Sequence, residues 1–292
     1  MILKGPVLAT LTYRNPALRP IRDLDLLVHE GDYREVVHTL EDLGFRPAHP
    51  LPHLDPRDVV SYAHYFSQVR FAGPSGAVVE VHFRLINLGV PAADERAVWE
   101  RSAPFVALDG LIRMPSMADM LVHLCLHTAQ HNFHRLLYLC DIASVLNSHG
   151  RALDWDSFLR AITARRMNTL AYYSFTLCHH LLGAEVPHEV LAALKPGYVR
   201  RKVFESIWGY SRILSLRKSK RARAFEPIVC YLAEIDDLGS KLTFVFRACF
   251  PQRSWLSVHY RRPVPPIAYP GYLGKYLLGS IFEGTGSAPG HP

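Results

Sequence analysis

Several features that would announce a protein class are missing from this chain. No apolar run reaches the ~18 residues that a membrane-spanning helix needs, and no charged start leads into an apolar stretch of the secretory kind. A cytoplasmic protein without membrane attachment is therefore expected. The five cysteines, Cys125, Cys140, Cys178, Cys230 and Cys249, are scattered, odd in number and never spaced as a CxxC pair, which argues against a disulfide framework or a zinc site. No GxSxG, no GxxxxGK[ST] and no GxGxxG occurs, so hydrolase, P-loop and dinucleotide-binding readings have no motif to rest on. There is no internal repeat.

What is present is an ordinary globular composition. Hydrophobic residues make up 49% and charged residues 20% of 292 positions, enough chain for a large core and for two domains. The net charge of +7 and pI of about 9.2 suit a polyanionic partner such as a nucleotide or a nucleic acid. Much of that excess sits in one place, "RKSKRAR" at Arg217 to Arg223, with five basic side chains and no interleaved aromatics. Such a run reads as a solvated basic loop, and nucleic acid is not the favoured partner.

The pattern along the chain changes once. Met1 to about Leu88 reads as mixed α/β: a short strand "MILKG", a helix from Pro6, an Asp-bearing strand, a helix from about Tyr33 to Leu43 stopped by Gly44, and a hairpin. In the hairpin, "HYFSQVRF" and "AVVEVHFRL" are joined by "AGPSG". From Ser116, with Asp119 three residues later in the manner of a capping box, helical spacing runs to Gly150. Further helices are expected from Asp154, from Asn168 to Gly183, over about Tyr198 to Leu216, and over Glu226 to Cys249. The tail beyond Phe250 is rich in Pro, Gly, Tyr and Arg, and "GTGSAPGHP" reads as frayed. The expected class is α+β: a small mixed sheet over residues 1–112, an all-helical domain over 113–250, and a C-terminal segment over 251–292.

The chemistry begins with "RPIRDLDLLV". Strand side chains alternate, so Asp23 and Asp25 share one face while Leu24, Leu26 and Val28 take the other. Two carboxylates at roughly 4 Å repel by about 4 kcal/mol at an effective dielectric near 20, so a positive partner is needed between them. In "VVEVHF", Glu80, His82 and Arg84 likewise share a face. Three acids from adjacent strands form a hard-cation site of the kind that holds Mg²⁺ or Mn²⁺ against phosphate oxygens. Lys4-Gly5, where the first strand passes into a helix, offers backbone N–H groups, close approach and a point charge to a phosphate.

These segments, "LKG", "ALRPIRDLDLLV", "LEDLGF" and "VEVHFRL", followed by "HLCLHTAQHNFHRLLYLCDIASVL", "LDWDSFL" and "CFPQRSWLSVHY", resemble the bacterial uncharacterised nucleotidyltransferases of the polymerase β-like superfamily. The resemblance spans about Leu3 to Tyr260. It implies a minimal nucleotidyltransferase core with a helical partner, two divalent ions held by Asp23, Asp25 and Glu80, and Gly5 where the superfamily's Gly-Ser pair begins. Here Lys4-Gly5-Pro6 supplies no serine hydroxyl, and the first strand is short compared with relatives, which carry a helical stretch before it.

A second set of candidates lies on the helix after Ser116. His123, His127 and His131 recur every four residues, and His134 follows, so on a continuous helix they form one stripe. The functional reading is a polar wall facing the acids, with Arg135 neutralising phosphate; the resemblance favours His127, His131, Arg135 and Asp141. The plain structural alternative is a set of satisfied core histidines and an Arg135–Asp141 salt bridge. A zinc stripe lacks the glutamate of HExxH. Arg19 and Arg22 flank the aspartates and can meet phosphate, and His82 can assist proton transfer or orient Glu80. The expected activity is transfer of a nucleoside monophosphate from an NTP, ATP foremost, to an acceptor that is a small molecule, peptide, protein or RNA. Asp23, Asp25 and Glu80 act as ligands and catalytic acids, with Lys4, Gly5, Arg22, His127, His131 and Arg135 around the nucleotide. The alternative is a degenerate module that binds a nucleotide or peptide without chemistry; a DxD glycosyltransferase would need a larger preceding sheet.

Overall fold

The computed structural model describes residues 1–48, 68–85, 95–106, 112–131, 133, 135–208, 232–233, 235–260 and 262–282. The fold is α+β, a small mixed sheet followed by helices. Strands β1 (Leu24–Leu27), β2 (Arg46–Pro47), β3 (Gln68–Ala72) and β4 (Val78–His82) lie in the order β1-β4-β3-β2. The β3–β4 hairpin forms around the "AGPSG" turn, where Gly76 takes φ +77°. β1 enters beside β4 in parallel, setting Asp25 opposite Glu80 and Leu27 opposite His82. On the free side of β1 the chain start runs antiparallel: Leu3 N–H donates to the Asp25 carbonyl at 3.1 Å and Leu27 N–H to the Met1 carbonyl at 2.9 Å. Ile2 N–H in turn donates to the Arg113 carbonyl of β6 (Arg113–Met114), which pairs with β5 (Ala103–Pro104). β1 is thus an interior strand, and both its faces are covered.

On one face, helix α2 (Tyr33–Asp42) buries Tyr33 and Leu40 with Val69, Phe71, Val79 and Val81, and Gly44 at φ +84° ends the turn after it as expected. Helix α1 (Gly5–Leu11) sets Val7 and Leu8 into the main core with the helical region. That region comprises α3 (Glu95–Glu100), α4 (Met117–Gln130), α5 (Leu136–His149), α6 (Trp155–Ala164), α7 (Asn168–Leu182), α8 (His188–Leu194) and α9 (Tyr198–Trp208). Beyond it stand α10 (Leu238–Cys249), α11 (Arg253–His259) and α12 (Tyr269–Phe282). The expected starts hold where a cap carries them: Ser116 Oγ accepts from Asp119 N–H at 3.1 Å, and Asp154 accepts from Ser157 N–H at 2.8 Å.

Two expectations change. The helix from Ser116 does not run on to Gly150. It breaks between α4 and α5, where Phe133 takes φ +54°, its N–H turns back to the Thr128 carbonyl, and its ring is buried facing Phe204 at 6.2 Å. The helix expected over Glu226 to Cys249 is interrupted: Leu232 and Ala233 are helical, residues 235–237 are not, and α10 begins at Leu238. Asp236 spends its carboxylate on the N–H of Asn168, capping α7, and Asp237 caps α10 through Ser240 N–H at 2.7 Å. The aromatic tail, for which no element was expected, carries helices: Tyr269, Tyr272 and Tyr276 recur at helical spacing and pack on Trp255, Leu256 and Val264. "GTGSAPGHP", "RKSKRAR", His134, and the stretches 209–216 and 226–231 of two expected helices lie outside the described residues.

One buried ion pair ties the strand region to the helices. Arg19 forks onto Asp141 of α5, Nη2 to Oδ2 at 2.8 Å and Nε to Oδ1 at 3.2 Å, and the Tyr13 hydroxyl donates to the same Oδ1 at 2.8 Å. Asp141 therefore pairs with Arg19, not with Arg135. Removing one partner strands a buried charge, so Arg19→Met should cost about 3–5 kcal/mol in urea unfolding, whereas Arg19→Met with Asp141→Leu should recover most of it.

Candidate functional site

The acids meet because of register. Parallel pairing of β1 with β4 puts Asp25 and Glu80 side by side on one face, and His82 follows Glu80 two residues on. Ligand-capable atoms of Asp25, Glu80 and His82 all lie within 4.8 Å of one another. His82 Nε2 stands 3.0 Å from Asp25 Oδ1 and 3.9 Å from Glu80 Oε2, so it orients Asp25 more directly than Glu80. Gln68, across the hairpin, donates to Glu80 Oε2 at 2.9 Å. Asp23 precedes β1 and is half-buried; its charge reaches Glu80, but it is not in the tight group, where His82 stands in the place expected for it.

Burial makes this an unusual setting for charge. Asp25 is 1% exposed. Lys4, delivered by the chain start, sets Nζ 3.2 Å from Asp25 Oδ1 and 3.1 Å from His127 Nε2, and is itself buried. Desolvation opposes ionisation of Asp25, yet Lys4 and His82 hold its carboxyl well below the usual range. Glu80 moves the other way: burial first, then the neighbouring Asp25, push its carboxyl up. Asp25 Oδ2 is buried with no hydrogen-bond partner among the described residues, as are His82 Nδ1 and His123 Nε2. A carboxylate oxygen left bare beside a second carboxylate and an imidazole fits a divalent cation, which takes such donors.

His127 touches Lys4, and its ring lies 4.6 Å from those of both His131 and Tyr138. His131 also faces Tyr138 at 4.9 Å, and the Arg135 guanidinium lies 5.8 Å from that ring, on an exposed residue. His123 sits deeper, its Nδ1 donating to the Leu85 carbonyl at 3.1 Å. Glu95 lies behind it, its carboxylate 3.4 Å from Leu85 N–H and pushed up to about 7 by burial. Arg22 is exposed at the entry to β1. Gly5 is buried at φ +26°, where a Cβ would meet the Asp23 carbonyl at 3.7 Å; glycine lets the chain turn there from strand into helix. The sequence signal for His82 was its spacing from Glu80; its pairing with Asp25 needs the β1–β4 register, which spacing alone does not give.

Two carboxylates and an imidazole on adjacent strands define a centre suited to a divalent cation and phosphate chemistry. The chain belongs to a family described as "Uncharacterised nucleotidyltransferase", whose model matches residues 1–183. That span holds the sheet, the acid pair and the histidine helix. No curated protein and no solved structure matches the chain. Among the described residues, no helix is long and apolar enough to cross a membrane.

Burial, helped by Lys4, depresses His123 to about 3 from an ordinary 6.5, so between those values the unfolded chain holds the extra proton. Stability from this group is present above pH 6.5 and drains away as pH falls. Relative to His123→Gln, the native protein should lose about 2 kcal/mol between pH 7 and 4.5, read from urea midpoints at each pH.

Proposed function

We propose that this protein is a divalent-cation-dependent nucleotidyltransferase, moving a nucleoside monophosphate from an NTP, ATP foremost, to an acceptor hydroxyl or amine. The observation that carries the reading is the pair Asp25–Glu80 with Asp25 Oδ2 buried and bare beside it. Asp25 and Glu80 would hold the ion, Asp23 would stand at its edge, and His82 orients Asp25. When bound, Mg²⁺ or Mn²⁺ neutralises charge on the triphosphate and polarises the reacting phosphoryl oxygens. A bond forms between the acceptor atom and the α-phosphorus, the bond to the β-phosphate breaks, and pyrophosphate leaves. Glu80, whose raised carboxyl makes it the more basic of the two, takes the acceptor's proton. Arg22 and Arg135, both exposed, meet the phosphates, Gly5 lets backbone approach them, and His127 with His131 lines the nucleotide side. The polymerase β-like framework, a bacterial source and a cytoplasmic location belong to the same reading, as do sheet, helical and C-terminal domains over 1–112, 113–250 and 251–292.

One observation favours a second reading, a nucleotide- or peptide-binding module without chemistry: Lys4 already sits on Asp25. Pyrophosphate release with Mg²⁺ or Mn²⁺ across a panel of NTPs and acceptor classes tests the enzyme. Asp25→Asn and Glu80→Gln should each lower the rate by about a hundredfold or more while leaving the far-ultraviolet circular dichroism intact. Calorimetry with a non-hydrolysable ATP analogue separates the two. The enzyme should lose affinity when metal is chelated; affinity that survives chelation, with no turnover, replaces it with the binding module.

A further inference from the structure

The cation that touches Asp25 is part of the chain. Lys4 Nζ lies 3.2 Å from Asp25 Oδ1, and the same oxygen lies 3.0 Å from His82 Nε2, so Oδ1 is fully engaged. Oδ2 of that carboxylate is buried and has no partner among the described residues. The position of Lys4 is fixed by backbone: it follows Leu3, whose N–H donates to the Asp25 carbonyl itself. It cannot drift into solvent, because its side chain is 8% exposed, and its second contact is the uncharged acceptor His127 Nε2.

We propose that Lys4 is a tethered counter-ion that supplies part of the positive charge at Asp25 and sets how tightly the centre takes a bare divalent cation. This rests on the reading of Asp25 and Glu80 as ion ligands. An ammonium and a divalent ion on one carboxylate repel, in a setting where burial weakens screening. The centre therefore disfavours a free ion and favours one whose charge is already offset by a polyphosphate, so metal arrives with nucleotide rather than ahead of it. The same tether keeps Asp25 ionised and oriented before the ion comes. His82 completes the arrangement by holding Oδ1 from the strand side, leaving Oδ2 as the oxygen open to an ion.

The test titrates Mn²⁺ alone into purified full-length protein, following free Mn²⁺ by electron paramagnetic resonance, with Asp25→Ala marking binding at this centre. Lys4→Met keeps the aliphatic stem and removes the charge, and should tighten Mn²⁺ binding about tenfold or more. Lys4→Arg keeps the charge and should stay within about threefold of the native protein. Equal or weaker Mn²⁺ binding by Lys4→Met overturns the inference. Should Lys4→Met not fold, the native protein decides it: the buried Lys4 ammonium exchanges slowly enough for ¹⁵N detection, and its resonance should shift or vanish as Mg²⁺ saturates the centre. A resonance unchanged at saturation overturns the inference. Mn²⁺ binding that ignores Lys4, or none in any of these proteins, removes this inference alone, whereas nucleotide affinity that survives chelation without turnover removes the metal-dependent function with it.

Discussion

A carboxylate at the middle of a sheet, 1% exposed, is the constraint around which this structure is arranged. Taking one charge out of water costs several kcal/mol even after relaxation, so Asp25 demands partners that reach it inside the fold. They come from three places in the sequence. The first residues of the chain add a strand-like edge to β1 and carry Lys4 in behind it. β4 lies parallel to β1 and brings His82 to the same oxygen. Helix α4 closes the face with His127 against Lys4 and His123 against the Leu85 carbonyl. The sheet order, the chain start and the first long helix are thus all engaged by one buried anion.

Comparison with the other buried carboxylates shows what is different about it. Asp141 is gripped in two places by Arg19, and Asp119 in two places by Arg101, Nη2 to Oδ1 at 2.7 Å and Nε to Oδ2 at 2.9 Å. Each of these two is a rigid, planar fork joining elements, with its oxygens occupied, and each does a structural task. The half-buried Asp236 gives one oxygen to the Arg200 guanidinium and the other to the Asn168 N–H at the start of α7. Asp25 receives a lysine and a histidine instead, both through the same oxygen, and keeps the other bare. A flexible ammonium is the partner to expect where the charge must later be shared with something else.

Much of this frame was legible before any coordinates. Alternation placed Asp25 on one strand face and Glu80 on another, the "AGPSG" turn placed the hairpin, and Gly44, Ser116, Asp154 and Gly183 marked helix ends by their own backbone chemistry. What stayed hidden depends on contacts between distant segments. That the acid face of β1 is the deeply buried one follows from the chain start and α4 closing over it. That His82 serves Asp25 follows from a one-residue choice of register. The break after His131 depends on Phe133 finding a pocket facing Phe204, and the helices of the tail depend on a tyrosine spacing masked by prolines and glycines.

Unfinished hydrogen bonding is the feature of the site that stability alone does not account for. Among the described residues Asp25 Oδ2, His82 Nδ1 and His123 Nε2 are buried without a hydrogen-bond partner, as are a few atoms elsewhere in the fold, and each such atom costs free energy. Asp25 and His123 influence each other's ionisation, and Glu80 beside Asp25 is pushed up by burial and by that neighbour. Local departures from satisfied packing gather where a ligand completes the set. Two neighbouring carboxylates, one held low and one pushed high, with an imidazole holding the first, are the division that the proposed ion-assisted transfer calls for: one group that stays charged and one that can accept a proton.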